Sequence, residues 1–320
     1  MMNKIAIIDL GSNTFQLLIL EHNQQDFRVL YEGSQPAQIG KGGISDGRIT
    51  PDALDRAIAV LQRFRKITDQ HGVLPQHIKA IATSAIRNAR NQAEVVQQIY
   101  QDTQIEVSVI QGDQEAQLIY DGVKLGMDMG RGVSMIMDIG GGSVEFILCN
   151  QHRIFWKQSF EIGGQRLMDK FMTNDPISPA SVSRLYSYLA EALLPLTNAV
   201  HQYEPTTLIG SAGSFETLMD MYFMHTHGQL PPPEQVAFDI PITEFYRSFQ
   251  LLMTLNKPER MAIPGMKAYR VEMIVVGACL IDFVLKTYQI KALQVSNYSL
   301  KEGVLSQLLV ESQKSFQQNG

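Results

Sequence analysis

Two short segments of this 320-residue chain share one pattern, IAIIDLGSN at 5–13 and MIMDIGGGS at 135–143. Each is an apolar run ending in an aspartate, Asp9 or Asp138, then one apolar residue, a glycine and small polar residues, with a second strand-like run after it. In a strand–turn–strand hairpin, glycines after the acid allow positive φ and carry no side chain, so successive N–H groups can converge on an anion. That is a cradle for phosphate. The acids would repel the phosphate unless a hard cation stood between, and Mg²⁺ held by one or two carboxylates plus phosphate oxygens is the usual solution. Three glycines in a row, Gly140, Gly141 and Gly142, cost about 0.5–1 kcal/mol each against Ala in regular structure, so something must come close to that backbone. A lone D-x-G reads as a tight turn with a capping acid. Its repetition at matching places favours the cradle, and two such hairpins facing each other across a cleft would grip a phosphate chain from both sides.

Three further stretches carry chemistry. TSAIRNARN at 83–91 ends a strand in the hydroxyls of Thr83 and Ser84 and sets Arg87 nearby. The guanidinium fork suits phosphate oxygens, although alone the segment reads equally as a helix start with a surface arginine. QGDQEAQLIYDG at 111–122 places Glu115 in the first turn of a helix, where a glutamate also gains about 0.3–1 kcal/mol from the dipole. As a functional group, an ionised Glu115 could orient and deprotonate an attacking water, with burial raising its basicity. Glu145 follows Ser143 by two residues, hence on one strand face, within reach of a metal or its water shell. Neither GxxxxGK[ST] nor a helix-opening GxGxxG occurs. Ser143 resembles a nucleophile elbow only superficially, because Glu145 takes the place of the last glycine and a strand follows.

The elements that must position these groups are alternating. Strands at 4–9, 14–21 and 27–33 form a meander, Thr50-Pro51-Asp52 opens a helix running to about Gly72, and strands follow at 78–85 and 105–110. The second half repeats the plan with three strands from SMIMD to RIFWKQSF. Helices follow around 178–199, then a strand and turn at TTLIGSAGS (206–214), helical sequence at 242–286, a strand at 291–296 and a last helix at about 299–313. A twofold internal repeat means paired lobes. The boundary falls in KLGMDMGRG at 124–132, giving an N-terminal lobe over 1–125 and a C-terminal lobe over 126–320, with the last helix free to pack back on the first lobe.

Composition narrows the class. With 27 basic and 32 acidic residues the chain carries −5, which argues against a dedicated nucleic-acid surface. The first apolar run is only four residues long, and the longest, MIVVGACLI at 273–281, is far below the roughly 20 a bilayer needs. A cytoplasmic protein without membrane contact is expected. Cys149 and Cys279 lie in no ligand spacing. His225 and His227 sit in MHTHG shortly before PPP at 231–233, which reads as a solvated loop.

Taken in order, DLGSNT (9–14), TSAIRNARN, GDQEAQLIYDG, DIGGGSVE (138–145), GSAGS (210–214) and VSNYSLKEGVL (295–305) resemble the exopolyphosphatase and guanosine pentaphosphate phosphohydrolase (Ppx/GppA) family. The resemblance implies an α/β fold of the actin, Hsp70 and sugar-kinase ATPase superfamily, with duplicated ribonuclease H-like lobes around a central cleft. It implies Mg²⁺-dependent hydrolysis of a terminal phosphoanhydride, on inorganic polyphosphate or on guanosine pentaphosphate. Carried over by motif position, Glu115 is the base and Arg87 neutralises the phosphoryl group. Asp9, Asp138 and Glu145 manage the metal. Gly11, Ser12, Asn13, Ser84, Gly140, Gly141, Gly142, Ser143, Gly210 and Ser211 hold phosphates.

The sequence departs from the family pattern at Gln38, where an arginine is usual, at Val271-Glu272 after Arg270, and at Asn297 and Ser299, where Asp and Gly are usual. The substrate-positioning set is thereby less basic. No His-Asp dipeptide occurs, so the short form without the HD-type domain is expected, with a homodimer as the assembly left open. Two other readings share these hairpins: an ATP-dependent kinase of the same superfamily, which needs an adenosine pocket around GSAGS, and a non-catalytic nucleotide or alarmone sensor.

Overall fold

A computed structural model describes residues 3–22 and 27–317. The first part of the chain contains β1 (Asn3–Leu10), β2 (Thr14–His22), β3 (Phe27–Pro36), α1 (Pro51–Gln70), β4 (Ile78–Ala82), α2 (Ser84–Arg87), α3 (Gln92–Thr103), β5 (Val107–Val109) and α4 (Gly112–Gly126). Then come β6 (Ser134–Ile139), β7 (Val144–Cys149), β8 (Ile154–Phe160), α5 (Gly164–Phe171), α6 (Pro179–Ala192), α7 (Leu194–Tyr203), β9 (Thr207–Ser211) and α8 (Gly213–His227). The chain continues through β10 (Ala237–Ile240), α9 (Ile242–Thr254), α10 (Lys257–Met261), α11 (Met273–Thr287), β11 (Ala292–Ser296) and α12 (Leu300–Gln317). Two compact units result, Met1–Leu125 with Leu300–Gly320, and Gly126–Ser299.

The first unit is built on a sheet of order β3-β2-β1-β4-β5. β1, β2 and β3 run antiparallel, whereas β4 and β5 continue parallel to β1. Helix α1 shows why local sequence suffices for the surrounding helices. Thr50 caps it by accepting from the Ala53 N–H at 3.3 Å, Pro51 supplies the preset φ, and Ala53, Ala57, Val60, Leu61 and Phe64 line one buried face. That face joins Ile8, Leu10, Phe15, Leu17 and Ile19 in one apolar core. Helix α12 returns to this unit. Lys301 is buried between Glu302 at 2.6 Å and Glu32 at 3.1 Å, and a Cβ on Gly303 would lie 1.8 Å from the carbonyl oxygen of Leu118 in α4.

The second unit repeats the order as β8-β7-β6-β9-β11, with β10 added antiparallel outside β11. The apolar run at 273–281 lies in α11, buried from Ile274 through Leu285 within this unit's own core. Among the described residues no helix is long and apolar enough to cross a membrane. The structure differs from the sequence reading at three elements. α5, α8 and β10 were not expected, and His225 and His227 stand in the last turn of α8 rather than in a solvated loop. The ring of His227 stacks on Phe223 at 4.9 Å, an aromatic pairing that extends the helix to the edge of the Gly228 turn.

Candidate active site

In each unit the chemistry-bearing residues collect at the carboxyl ends of the parallel strands, where open α/β sheets expose backbone and side chains to ligands. In the first unit, Asp9 pairs in register with Ile81 of β4, and Ala82 pairs with Val109 of β5. The strand ends therefore bring the Asp9 hairpin, the Ser84–Arg87 turn and the start of α4 to one edge. Glu115 is buried in the first turn of α4, and its Oε2 accepts from Arg87 Nη1 at 2.6 Å. The same Nη1 donates to the Ile110 carbonyl at 3.3 Å, which fixes the guanidinium against the β5–α4 connection. Ser84, also buried, accepts from Asn88 Nδ2 at 3.3 Å.

The two hairpin turns are held alike. In the first, Ala37 and Gln38 N–H groups donate to the Asn13 carbonyl at 3.0 and 2.8 Å, and Gly40 donates to the Ser12 carbonyl at 2.9 Å. In the second, Gly163, Gly164 and Gln165 donate to the carbonyls of Gly142, Gly140 and Gly141 at 3.1, 2.9 and 2.8 Å, and Arg166 Nε adds 2.9 Å to Gly142. In both units the segment just after the third strand of the meander straps the turn. A peptide whose carbonyl is claimed on one side presents its N–H on the other, which is the disposition an anion cradle requires.

The glycines serve this strap by clearance. None of Gly11, Gly140, Gly141 and Gly142 adopts the left-handed φ that the sequence reading allowed for. Instead a Cβ on Gly163 would lie 2.4 Å from the Gly142 carbonyl carbon and 2.5 Å from that of Gly141, and one on Gly11 would lie 2.9 Å from the Thr14 oxygen. The close approach is backbone on backbone.

In the second unit Asp138 pairs in register with Glu145 of β7 on one side and with Ser211 of β9 on the other. Asp138 and Glu145 thus project to one face of the sheet. Glu145 is buried and accepts from Ser159 Oγ at 2.6 Å. Asp138 Oδ2 accepts two hydroxyls, Ser211 Oγ at 2.6 Å and Ser299 Oγ at 2.5 Å. Burial pushes the Asp138 carboxyl above its ordinary range, the two serine hydrogen bonds lower it, Glu216 raises it and Arg270 lowers it. A carboxylate kept from water, beside a second buried carboxylate, is a donor set that suits a hard divalent cation. Among the described residues no group of three or more His, Cys, Asp or Glu is gathered as a metal cluster, so any such ion would take only one or two protein carboxylates.

Several residues have positions that the sequence did not reveal. Ser211 is fully buried with its hydroxyl turned to Asp138, and Gly210 makes room for Phe215, whose ring would lie 2.0 Å from an added Cβ. Ser143 is buried in the turn. Arg270, noted only as the residue before a departure from the family pattern, covers the start of α8. A Cβ on Gly213 would lie 1.3 Å from its Nη1. Ser299 stands where a glycine was usual, and only the fold brings it across 161 positions to Asp138.

The two α/β units share one sheet order, and each offers a strapped hairpin at its strand ends. The profile of the Ppx/GppA phosphatase family matches residues 18–312, and the chain belongs to that family. It is similar to the crystal structure of an exopolyphosphatase from Cytophaga hutchinsonii, with a TM-score of 0.93 and 42% identity over 97% of this chain and 98% of that one. Exopolyphosphatase 1 of Mycobacterium tuberculosis is 23% identical over 94% of this chain and 87% of its own length. A bifunctional 3-dehydroquinate synthase/phosphatase of Fusobacterium nucleatum is 30% identical over 58% of this chain. The matched part is 28% of that protein's length.

Proposed function

We propose that this chain is a cytoplasmic, Mg²⁺-dependent phosphoanhydride hydrolase that releases terminal orthophosphate from inorganic polyphosphate, with the 5′-terminal phosphate of guanosine pentaphosphate as the second candidate substrate. The observation that carries the reading is the buried Glu115–Arg87 pair at the strand-end edge that also holds the Asp9 hairpin. The similarity to the Cytophaga exopolyphosphatase supports polyphosphate as the first substrate to try.

In this reading Glu115 takes a proton from water as the water oxygen bonds to the terminal phosphorus and the bridging P–O bond breaks. Arg87 holds the Glu115 carboxylate in place through the 2.6 Å hydrogen bond, and its cationic charge offsets charge on the phosphoryl oxygens. In each unit the N–H groups of the turn, Ser12–Asn13 in the first and Gly141–Ser143 in the second, would bind phosphate oxygens, and the straps keep them in place. Asp138 and Glu145 are the residues that would hold Mg²⁺. The ion would supply charge neutralisation on phosphate oxygens. Positioning and electrostatics carry most of the rate in phosphoryl transfer, which fits a site built of turns and buried ion pairs.

The kinase reading is disfavoured by Arg270. An adenosine placed against the 210–214 turn would have to displace a guanidinium that lies directly on Gly213 and is held near Glu216 at 3.8 Å. The deciding experiment is phosphate release from polyphosphate and from guanosine pentaphosphate side by side, with Mg²⁺ and with chelator, by wild type and Glu115→Gln. Mg²⁺-dependent release that the substitution abolishes is expected. Undiminished release by Glu115→Gln would remove Glu115 from its role.

A further inference from the structure

We propose that Ser299 is a positioning residue for the Asp138 carboxylate, fixing the orientation in which that group would meet a divalent cation. This rests on the reading of Asp138 as a metal ligand. Ser211 and Ser299 both donate to Oδ2, at 2.6 and 2.5 Å. A carboxylate oxygen has two lone pairs in its plane, so two hydroxyls on Oδ2 fill that oxygen and stop rotation of the group. Oδ1 receives neither hydroxyl. Partners of this kind commonly change metal affinity by about 10–100-fold, although they never touch the ion.

The two serines differ in origin. Ser211 is a ladder neighbour of Asp138, fixed by the sheet itself. Ser299 arrives from beyond β11 through a local turn, in which Ser296 Oγ donates to the Tyr298 carbonyl at 2.8 Å and accepts from the Tyr298 N–H at 3.1 Å. Ser299 is also the last residue of the second unit. A glycine at 299 would leave Oδ2 with one donor. The Ser299 hydroxyl thus makes the orientation of Asp138 depend on the segment where the chain leaves the unit.

The test is a Mg²⁺ titration of the full chain by calorimetry, with Mn²⁺ binding by electron paramagnetic resonance as a second readout, for wild type, Ser299→Ala, Ser299→Gly, Ser299→Thr and Asp138→Asn. Ser299→Ala and Ser299→Gly are expected to weaken Mg²⁺ binding about tenfold. The Mg²⁺ concentration for half-maximal phosphate release should shift by the same factor, and KM for polyphosphate at saturating Mg²⁺ should stay constant. Ser299→Thr, which keeps the hydroxyl, should restore affinity. Thermal unfolding of each variant identifies any loss that is mere misfolding, and the threonine variant then decides. If Asp138→Asn loses Mg²⁺ affinity while Ser299→Ala stays within twofold of wild type, the positioning role is overturned and the metal assignment stands. If Asp138→Asn binds Mg²⁺ as wild type does, both fall.

Discussion

Arg87 and Glu115 form a buried ion pair, Nη1 to Oε2 at 2.6 Å, between side chains that expose only 7% and 8% of their surface. A pair so enclosed ties activity and stability together, since removing one partner strands the other's charge away from water.

Glu115→Gln keeps the shape and removes the proton acceptor. The turnover number for phosphate release should fall by about 10²–10⁴-fold, with KM for polyphosphate changed little. Steady-state kinetics at saturating Mg²⁺ check this.

Arg87→Ala leaves the Glu115 carboxylate buried without its guanidinium, and denaturant unfolding should show a loss of about 3–5 kcal/mol. The double variant Arg87→Ala with Glu115→Gln should recover part of that loss, because the stranded charge is gone. An additive double variant would show that the pair has no coupling.

Gly163→Ala puts a methyl group into the backbone of Gly141 and Gly142. The turn must shift, so KM for the phosphate substrate should rise several-fold while circular dichroism stays that of the native chain. An unaltered KM would mean that the strap does not set the N–H face of the turn.

Gly303→Ala should act on stability alone. Its methyl group would meet the Leu118 carbonyl oxygen at 1.8 Å, forcing α12 off α4. A loss of about 1–3 kcal/mol is expected from such overpacking, read as a lower melting temperature, with the Mg²⁺ dependence of the remaining activity unchanged.

What the sequence revealed and what it hid follow from the range of the interactions. The D-x-G repeats stood out because strand alternation, a terminal acid and adjacent glycines are local, and the two sheets of like order confirm the duplication they suggested. The strand-end placement of Arg87 and Glu115 was legible for the same reason. Helix α8 was obscured because it follows Ala212, a non-glycine residue at φ 64 whose side chain gives no cap, and ends in histidines close to a run of prolines. The straps were invisible, since each is made mainly of backbone hydrogen bonds from residues more than 20 positions away, to which side-chain identity contributes only the glycine clearance and the Arg166 guanidinium. Ser299 was visible only as a mismatch to a family pattern. Its partner became apparent once β6, β9 and β11 lay side by side.

The Tyr298 ring rests on Gly126, where an added Cβ would come within 2.9 Å of it. Gly126 is the first residue of the 126–299 segment, and Tyr298 is the last but one. With its two ends touching, that segment has the topology of a cassette inserted between α4 and α12. Gene fusions or circular permutations opened at this seam would leave every strand pairing of its sheet within one uninterrupted polypeptide.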